Sequence, residues 1–338
     1  MPIKPIPLTR WVFVSPFISI LNEMGAPTAS LLAKFHLPTH LEPKSNHYIP
    51  LFPALRFVTA TQLSQGIADF GFLAGRKLRF EALNAQFRAT VHRSPTLLAA
   101  LQSFCRFVQL EDNMLHVRLE QHGPSLRVCY SSAIPGAEGM PHFEHAQWLQ
   151  NMVAILIVRQ FAGPQWLPPT FAFQARHVPT KETQSFWPNT RFLSGQNAAW
   201  IEIPVSQLSL PVRMRARAPS RSQEQPFCPI GTDVVTALKL MLPSYLGADV
   251  PVIAEAAEIV GTSARSLQRE LAAADLTYSR LLEQVQFESA AEMLRETDAR
   301  IIDVAHATGY ADPSHFTRAF RRMAGVTPRE FREISDPP

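Results

Sequence analysis

The stretch Ile302-Asp303-Val304-Ala305-His306-Ala307-Thr308-Gly309-Tyr310-Ala311-Asp312-Pro313 decides how the chain is read; a helical pattern through Phe316 and Phe320 follows it. Ala305 stands four residues before Gly309. A helix-turn-helix needs both features: a small residue lets the second helix cross close to the first, and glycine takes the positive φ that reverses the chain. An earlier stretch repeats the layout. It runs Ile253-Ala254-Glu255-Ala256-Ala257-Glu258-Ile259-Val260-Gly261, then Thr262-Ser263 and a helix through Leu267 and Leu271. Ser263 is a good N-cap for the first of these second helices. Asp312, with Pro313 behind it, is a good N-cap for the other.

The outer faces of the two second helices are polar and basic. Arg265, Gln268 and Arg269 share one face of the first. Ser314, His315 and Arg318 share one face of the second, with Arg321 and Arg322 near its end. Planar forks of this kind match base edges in the major groove, arginine to guanine and glutamine to adenine. Leu267, Phe316 and Phe320 fall on the opposite side and read as core. Between the motifs, Tyr278 to Leu294 reads as one long helix with Tyr278, Leu281, Leu282, Val285 and Leu294 inward. At about 1.5 Å per residue it spans about 26 Å. With the bodies it joins, it can set two recognition helices one DNA turn apart, ~34 Å.

Residues ~230–334 resemble the DNA-binding domain of the AraC/XylS family of bacterial transcription regulators. The match is carried by Gly309-Tyr310, by His315-Phe316-Thr317-Arg318-Ala319-Phe320-Arg321-Arg322 and by the closing run Gly325-Val326-Thr327-Pro328-Arg329-Glu330-Phe331-Arg332. One departure is Gln286-Phe287-Glu288-Ser289 in the long helix, where the family often has an arginine. The resemblance implies an all-α domain with two helix-turn-helix motifs joined by a linker helix, binding double-stranded DNA. It implies Ser263, Arg265, Gln268, Arg269, Ser314, His315, Arg318 and Arg322 as DNA-binding residues, and RNA polymerase as a further partner.

Upstream, the pattern changes. Residues 205–228 read as a linker, with Pro211, Pro219 and Pro226, several serines, and Arg213, Arg215, Arg217 and Arg221. These arginines are read as a solvated linker, with a phosphate-contacting arm as the alternative. Before it, helices and strands mix. Leu55 to Leu73 reads as a helix with Leu63, Ile67 and Phe70 on one face. Ser94-Pro95 opens another as N-cap and first residue, with Leu97, Leu98, Leu101, Phe104 and Cys105 as its stripe. Leu115, Val117 and Leu119 alternate, Gln121 to Pro124 turns, and Leu126, Val128 and Tyr130 alternate again, a hairpin signature. His142 to Phe161 reads as a long buried helix, and Thr170–Gln174 and Ala199–Ile203 as short strands. This order indicates an α+β domain. Residues ~20–205 resemble, by this layout, the arabinose-binding/dimerisation type of sensor domain, which implies a small-molecule effector and a homodimer. The expected domains are therefore 1–204 for sensing and dimerisation, 205–228 as linker and 229–334 for DNA binding.

Composition narrows the function. The 338 residues suit about two domains, and 46 % hydrophobic content is enough to fill their cores. Charged residues are 18 %, too few for a disordered chain or coiled coil. The net charge of +4 divides unevenly: residues 229–338 hold 11 Lys+Arg against 16 Asp+Glu, a balance of −5. Global charge thus cannot carry nucleic-acid binding, and local placement of arginines must. Cys105, Cys129 and Cys228 form no disulfide framework or metal knuckle, which fits a reducing cytosol. No run approaches the ~20 apolar residues of a membrane helix. Trp11 to Leu21 imitates a signal-peptide core, but Ser15 and Pro16 interrupt it. A cytoplasmic protein is expected.

No catalytic residue is assigned, because no nucleophile elbow surrounds Ser94, Ser131 or Ser132 and no phosphate-cradling glycine loop occurs. No cofactor and no metal are expected. Pro38 breaks the helical spacing of His36 and His40, and His142, Glu144 and His145 fall short of a full ligand set. Phe104, Phe107, Trp148 and Phe161 read as core, with pocket lining as the alternative. The resulting reading is a sequence-specific transcription regulator, an activator under effector control. Its alternatives are a constitutive DNA-binding dimer or an enzyme domain fused to a DNA-binding domain.

Overall fold

A computed structural model describes residues 5–42, 46–134, 142–213, 233–247 and 250–335. Its contacts divide the chain into two units. One comprises Pro7–Asn46 and Leu51–Ile230; the other comprises Met1–Ile6, His47–Pro50 and Gly231–Pro338. Two short upstream segments thus group with the carboxy-terminal part, although the sequence suggested an unbroken domain over 1–204.

The amino-terminal unit is α+β. It holds β1 (Leu8–Arg10), α1 (Ser15–Glu23), α2 (Thr28–Lys34), α3 (Leu51–Gln65), α4 (Phe70–Lys77), α5 (Ala85–Arg93) and α6 (Leu97–Phe107). A sheet and a long helix follow. Strand β2 (Tyr48–Pro50) belongs to the other unit, so the sheet begins with β3 (Leu115–His122) and β4 (Ser125–Ser132). They form the expected hairpin, pairing Val117 with Tyr130 and Leu119 with Val128. The apolar faces of both point inward: Leu115, Val117, Leu126, Val128 and Tyr130 are buried. After α7 (Glu144–Ala162) come β5 (Thr170–Ala172), α8 (Lys181–Phe186), β6 (Arg191–Leu193) and β7 (Ala199–Pro204). The five strands run in the order β3-β4-β7-β5-β6, antiparallel except for the parallel β5–β6 pair.

Helix α7 is the axis of this core. Trp148 sits among Phe72, Phe171, Phe173, Trp187 and Phe192, with ring centroids 4.6–5.9 Å away. Helix α4 crosses α7 closely at Gly71, where a Cβ would lie 2.8 Å from the His145 Cα. A buried ion pair ties the first strand to the sheet's entry. Arg10 donates to Glu111 at 2.9 Å, Glu111 also accepts from the Asn84 N–H at 2.6 Å, and Arg10 reaches Asn46 at 2.6 Å.

Several expectations for this unit are corrected. The helix expected over Leu55–Leu73 is two helices, broken where Asp69 adopts φ +47°. Asp69 is held there by accepting from the Thr180 N–H and hydroxyl, each at 2.7 Å. Leu63 is consequently 64 % exposed rather than on the core face with Ile67 and Phe70. Ser94 ends α5 instead of opening α6, and Thr96 caps α6 through the Ala99 N–H at 3.3 Å. Leu97 and Leu98 donate their N–H groups to the carbonyls of Leu210 and Leu208, both at 3.0 Å. Residues 205–213, read as the start of a linker, therefore pack on this unit. Arg215, Arg217 and Arg221 of the expected linker, and Cys228, lie outside the described residues. The Trp11–Leu21 run is a turn followed by α1, with Pro16 in its first turn and Trp11, Phe17 and Leu21 buried. No described helix is long and apolar enough to cross a membrane.

The carboxy-terminal unit contains helices only after residue 231, among the described residues. These are α9 (Val234–Met241), α10 (Ile253–Ile259), α11 (Ala264–Ala273), α12 (Tyr278–Glu296), α13 (Ile301–Ala307), α14 (Pro313–Ala324) and α15 (Pro328–Ser335). Helix α12 has 19 residues, about 28 Å at the usual rise. Its buried face is Tyr278, Leu281, Val285, Gln286, Ala290, Ala291 and Leu294, while Leu282 is only half-buried.

Candidate nucleic-acid interface

The two turns are built alike. Gly261 and Gly309 have φ +75° and +86°. In the first, the Thr262 N–H donates back to the Ala257 carbonyl at 2.8 Å. In the second, the Tyr310 N–H donates to the Ala305 carbonyl at 2.9 Å. The alanine of each motif therefore anchors the turn as well as permitting close crossing, and both alanines are buried. The second helices start as expected. Ser263 accepts from the Ser266 N–H at 3.1 Å and Asp312 from the Ser314 N–H at 2.8 Å.

Burial fixes which faces point outward. Leu267 and Leu271 seat α11; Phe316, Ala319 and Phe320 seat α14. On the opposite side Ser263, Arg265, Gln268 and Arg269 are exposed along α11, and Ser314, His315, Arg318, Arg321 and Arg322 along α14. Each set of candidate residues is thus gathered on one helix face. They differ in local ties. Arg265 and Arg318 have no ion pair among the described residues. Arg269 lies 3.3 Å from Glu270. Arg322 reaches Glu283 of α12 at 3.2 Å, an exposed pair of small energetic weight. The His315 ring lies 5.7 Å from that of Tyr310. Burial raises the Tyr310 hydroxyl above its ordinary range, so it stays protonated beside the interface.

The closing run completes the second motif. Gly325 ends α14 in the left-handed conformation. Thr327 and Glu330 cap α15 reciprocally, at 2.7 Å and 3.3 Å. Phe331 then packs edge-on to Phe320 at 5.3 Å, and Arg332 donates to the Ala299 carbonyl at 2.5 Å. The residue that sequence reasoning flagged only as a departure has a defined place. Gln286 is buried in α12 and donates to the Thr308 carbonyl at 2.9 Å, at the reversal of the second motif. Thr308, also buried, donates to the Val304 carbonyl at 2.8 Å. Tyr278, at the start of α12, donates to the Pro251 carbonyl just before α10 at 2.6 Å.

Elsewhere, His142, Glu144 and His145 bring their ligand atoms within 4.8 Å of one another. His145 engages Nε2 with Gln62 at 3.0 Å, and His142 lies 3.3 Å from Glu144.

Two family models match the chain. The model of the arabinose-binding domain of AraC transcription regulators (amino-terminal) matches residues 25–212, and a helix-turn-helix domain model matches residues 256–334. The transcriptional regulator VirS of Mycobacterium tuberculosis is 23 % identical, over 94 % of both chains. The transcriptional activator RhaS of an Enterobacter species is 36 % identical over 24 % of this chain and 29 % of its own. Among solved structures, the regulator CdpR of Pseudomonas aeruginosa aligns over 94 % of this chain and 96 % of its own, with TM-score 0.42 and 16 % identity.

Proposed function

The chain belongs to the AraC family of transcription regulators, and from that premise we propose that one protomer reads two segments of double-stranded DNA about one helical turn apart. It is a DNA-binding transcription regulator. The observation that carries the two-segment reading is the equivalence of the two turns on one stiff helix, each exposing arginine opposite its buried face. Arg265, Gln268 and Arg269 read base edges from α11, and His315 and Arg318 from α14. Ser263 and Ser314, at the helix starts, hold phosphate together with the free backbone N–H groups there. Arg322, on the last turn of α14, grips the backbone. The amino-terminal unit senses a small-molecule effector and joins two protomers, and the protein activates transcription in the cytoplasm by contact with RNA polymerase.

Footprinting on genomic fragments recovered by mapping its bound sites tests this. Two protected major-groove segments per protomer are expected, ~10 base pairs centre to centre. Inserting about five base pairs between them should nearly abolish binding, because the second helix then faces the wrong side. Tolerance of that insertion would leave α14 as the only base reader, with the first motif holding phosphates alone.

A further inference from the structure

The amino-terminal unit contains a crevice whose walls come from the start of the chain, α1, α3, α6, α7 and the β3–β4 hairpin. Phe17, Leu55, Val58, Phe104, Leu149 and Val153 supply much of its lining. Its surface is overwhelmingly apolar, and its free volume is about 70 Å³. Of the polar side chains that border it, Glu111 is held by Arg10 and the Asn84 N–H, and His145 engages Gln62 through Nε2, while the buried Tyr130 hydroxyl and His145 Nδ1 make no hydrogen bond among the described residues. Two polar residues of the lining keep accessible surface, Asp112 and Gln150. One carboxylate oxygen of Asp112 accepts from the Met114 N–H at 3.0 Å; its other oxygen, and the Gln150 amide, have no hydrogen bond among the described residues.

We propose that this crevice is the effector site, and that the effector is a slender apolar molecule bearing one hydrogen-bond-donating end rather than a sugar. This rests on the reading of the unit as an effector sensor.

The chemistry follows from the lining. A pentose carries a hydroxyl on nearly every carbon, and each one buried here without a partner lowers affinity by about tenfold or more. An apolar skeleton meets no such loss and removes apolar wall from water. The width is restrictive. An apolar cavity of about 150 Å³ admits benzene. A space half that size takes a short alkyl chain, or a single ring once a half-buried side chain such as Leu55 rotates at the open end. The polar end of the ligand then meets Asp112 and Gln150. Burial pushes the Asp112 carboxyl up to about 7, so above that pH it carries charge and disfavours an anionic head.

The test uses the full chain above about pH 7, where Asp112 is charged, and four probes: 1-hexanol, p-cresol, hexanoate and L-arabinose. Unfolding of the amino-terminal unit is followed by tryptophan fluorescence, since all five tryptophans lie in it. Saturable stabilisation by 1-hexanol and p-cresol is expected, with hexanoate and arabinose inert. Ala146→Leu narrows the crevice and should weaken 1-hexanol binding tenfold or more. If that variant fails to fold, Leu55→Phe at the open end serves. In Asp112→Asn the discrimination against hexanoate should disappear, an outcome that general loosening of the fold would not produce. Stabilisation by arabinose alone, or 1-hexanol binding untouched by both narrowing variants, overturns the proposal. DNA affinity is measured in parallel. Crevice binding that leaves DNA affinity unchanged keeps the site and overturns effector control. DNA affinity that responds to arabinose in the narrowed variants keeps effector control and overturns the site.

Discussion

Replacing Gly309 by alanine should cost far more than the same change at Gly261, although both glycines reverse equivalent turns. Both have positive φ, and placing an L residue there costs ~1–2 kcal/mol. The surroundings differ. At Gly261 an added Cβ meets nothing within 4 Å. At Gly309 it would lie 2.8 Å from the Val250 Cγ2 and 3.3 Å from the Gln286 Nε2. The overlap forces the helix ends apart or displaces Gln286 from the Thr308 carbonyl. Overpacking of this kind adds ~1–3 kcal/mol. The expected totals are ~1–2 kcal/mol for Gly261→Ala and ~2–5 kcal/mol for Gly309→Ala, the latter a large part of a small domain's stability. Because the tryptophans all lie in the other unit, denaturant unfolding separates the effects. Circular dichroism should show an earlier loss of helix in Gly309→Ala while the tryptophan transition keeps its midpoint. Equal midpoints for the two alanine variants would refute the packing argument, and a shifted tryptophan transition in Gly309→Ala would refute its confinement to the carboxy-terminal unit.

Further expectations can be checked with the same instruments. Arg318→Ala and Arg269→Ala should each cost ~1–3 kcal/mol of DNA binding and relax base preference at different half-sites; loss at the same base pairs in both would contradict the two-segment reading. Glu111→Ala leaves Arg10 buried and unpaired and should cost ~3–5 kcal/mol by tryptophan-monitored unfolding, whereas Arg10→Met with Glu111→Leu should recover much of that. His145 is pushed down to about 4 by burial, with His142 and His177 adding to the shift and Glu144 and Asp69 opposing it. The unfolded chain therefore binds a proton below about pH 6.5 that the folded chain refuses, and stability falls as pH drops from there toward about 4, by at most ~3 kcal/mol. Asp112 runs oppositely, since its raised pKa makes stability fall as pH rises toward about 7. The measurement is accordingly a difference: His145→Gln should lose the acid-side decline relative to the native chain, and an unchanged decline would refute the assignment. A fragment from about Pro226 onward should fold and bind the intact protein's target more weakly, having lost the second protomer; an unfolded fragment would contradict the autonomy of that domain.

The carboxy-terminal helices were legible because their signals are local. Glycine, alanine, cap and apolar stripe of each motif lie within about sixteen residues, roughly four helical turns, and the hydrogen bonds that realise them join residues a few positions apart. The amino-terminal unit resisted for the opposite reason. Ser94 and Thr96 are equally good caps by local rules, and the choice is made by the Leu208 and Leu210 carbonyls, over a hundred residues downstream. The break before α4 depends on Asp69 meeting Thr180, 111 residues away. The three-residue strand β6 exists only because β5 lies parallel to it. The same holds for the crevice: Phe104 was a candidate for its wall, but nothing in sequence brings α1, α3 and α7 against it.

Gln286 shows the limit from the other direction. As a sequence feature it opens a stretch that departs from a family which often has arginine there. In the fold its amide N–H satisfies the Thr308 carbonyl, one of the carbonyls a helix end leaves open. A buried arginine there would bring a charge and two more atoms of reach into a space where Val250 and Gly309 already approach closely. The shorter, neutral fork makes the same kind of bond without requiring a buried counter-ion. Gln286 thus ties α12 to the second reversal through a neutral donor. It follows that Gln286→Leu, which keeps size and removes the donor, should cost ~1–3 kcal/mol by leaving that carbonyl unsatisfied. It should also loosen the α14 contacts with DNA more than those of α11. Equal weakening at both half-sites would mean that Gln286 supports the whole unit rather than this one turn.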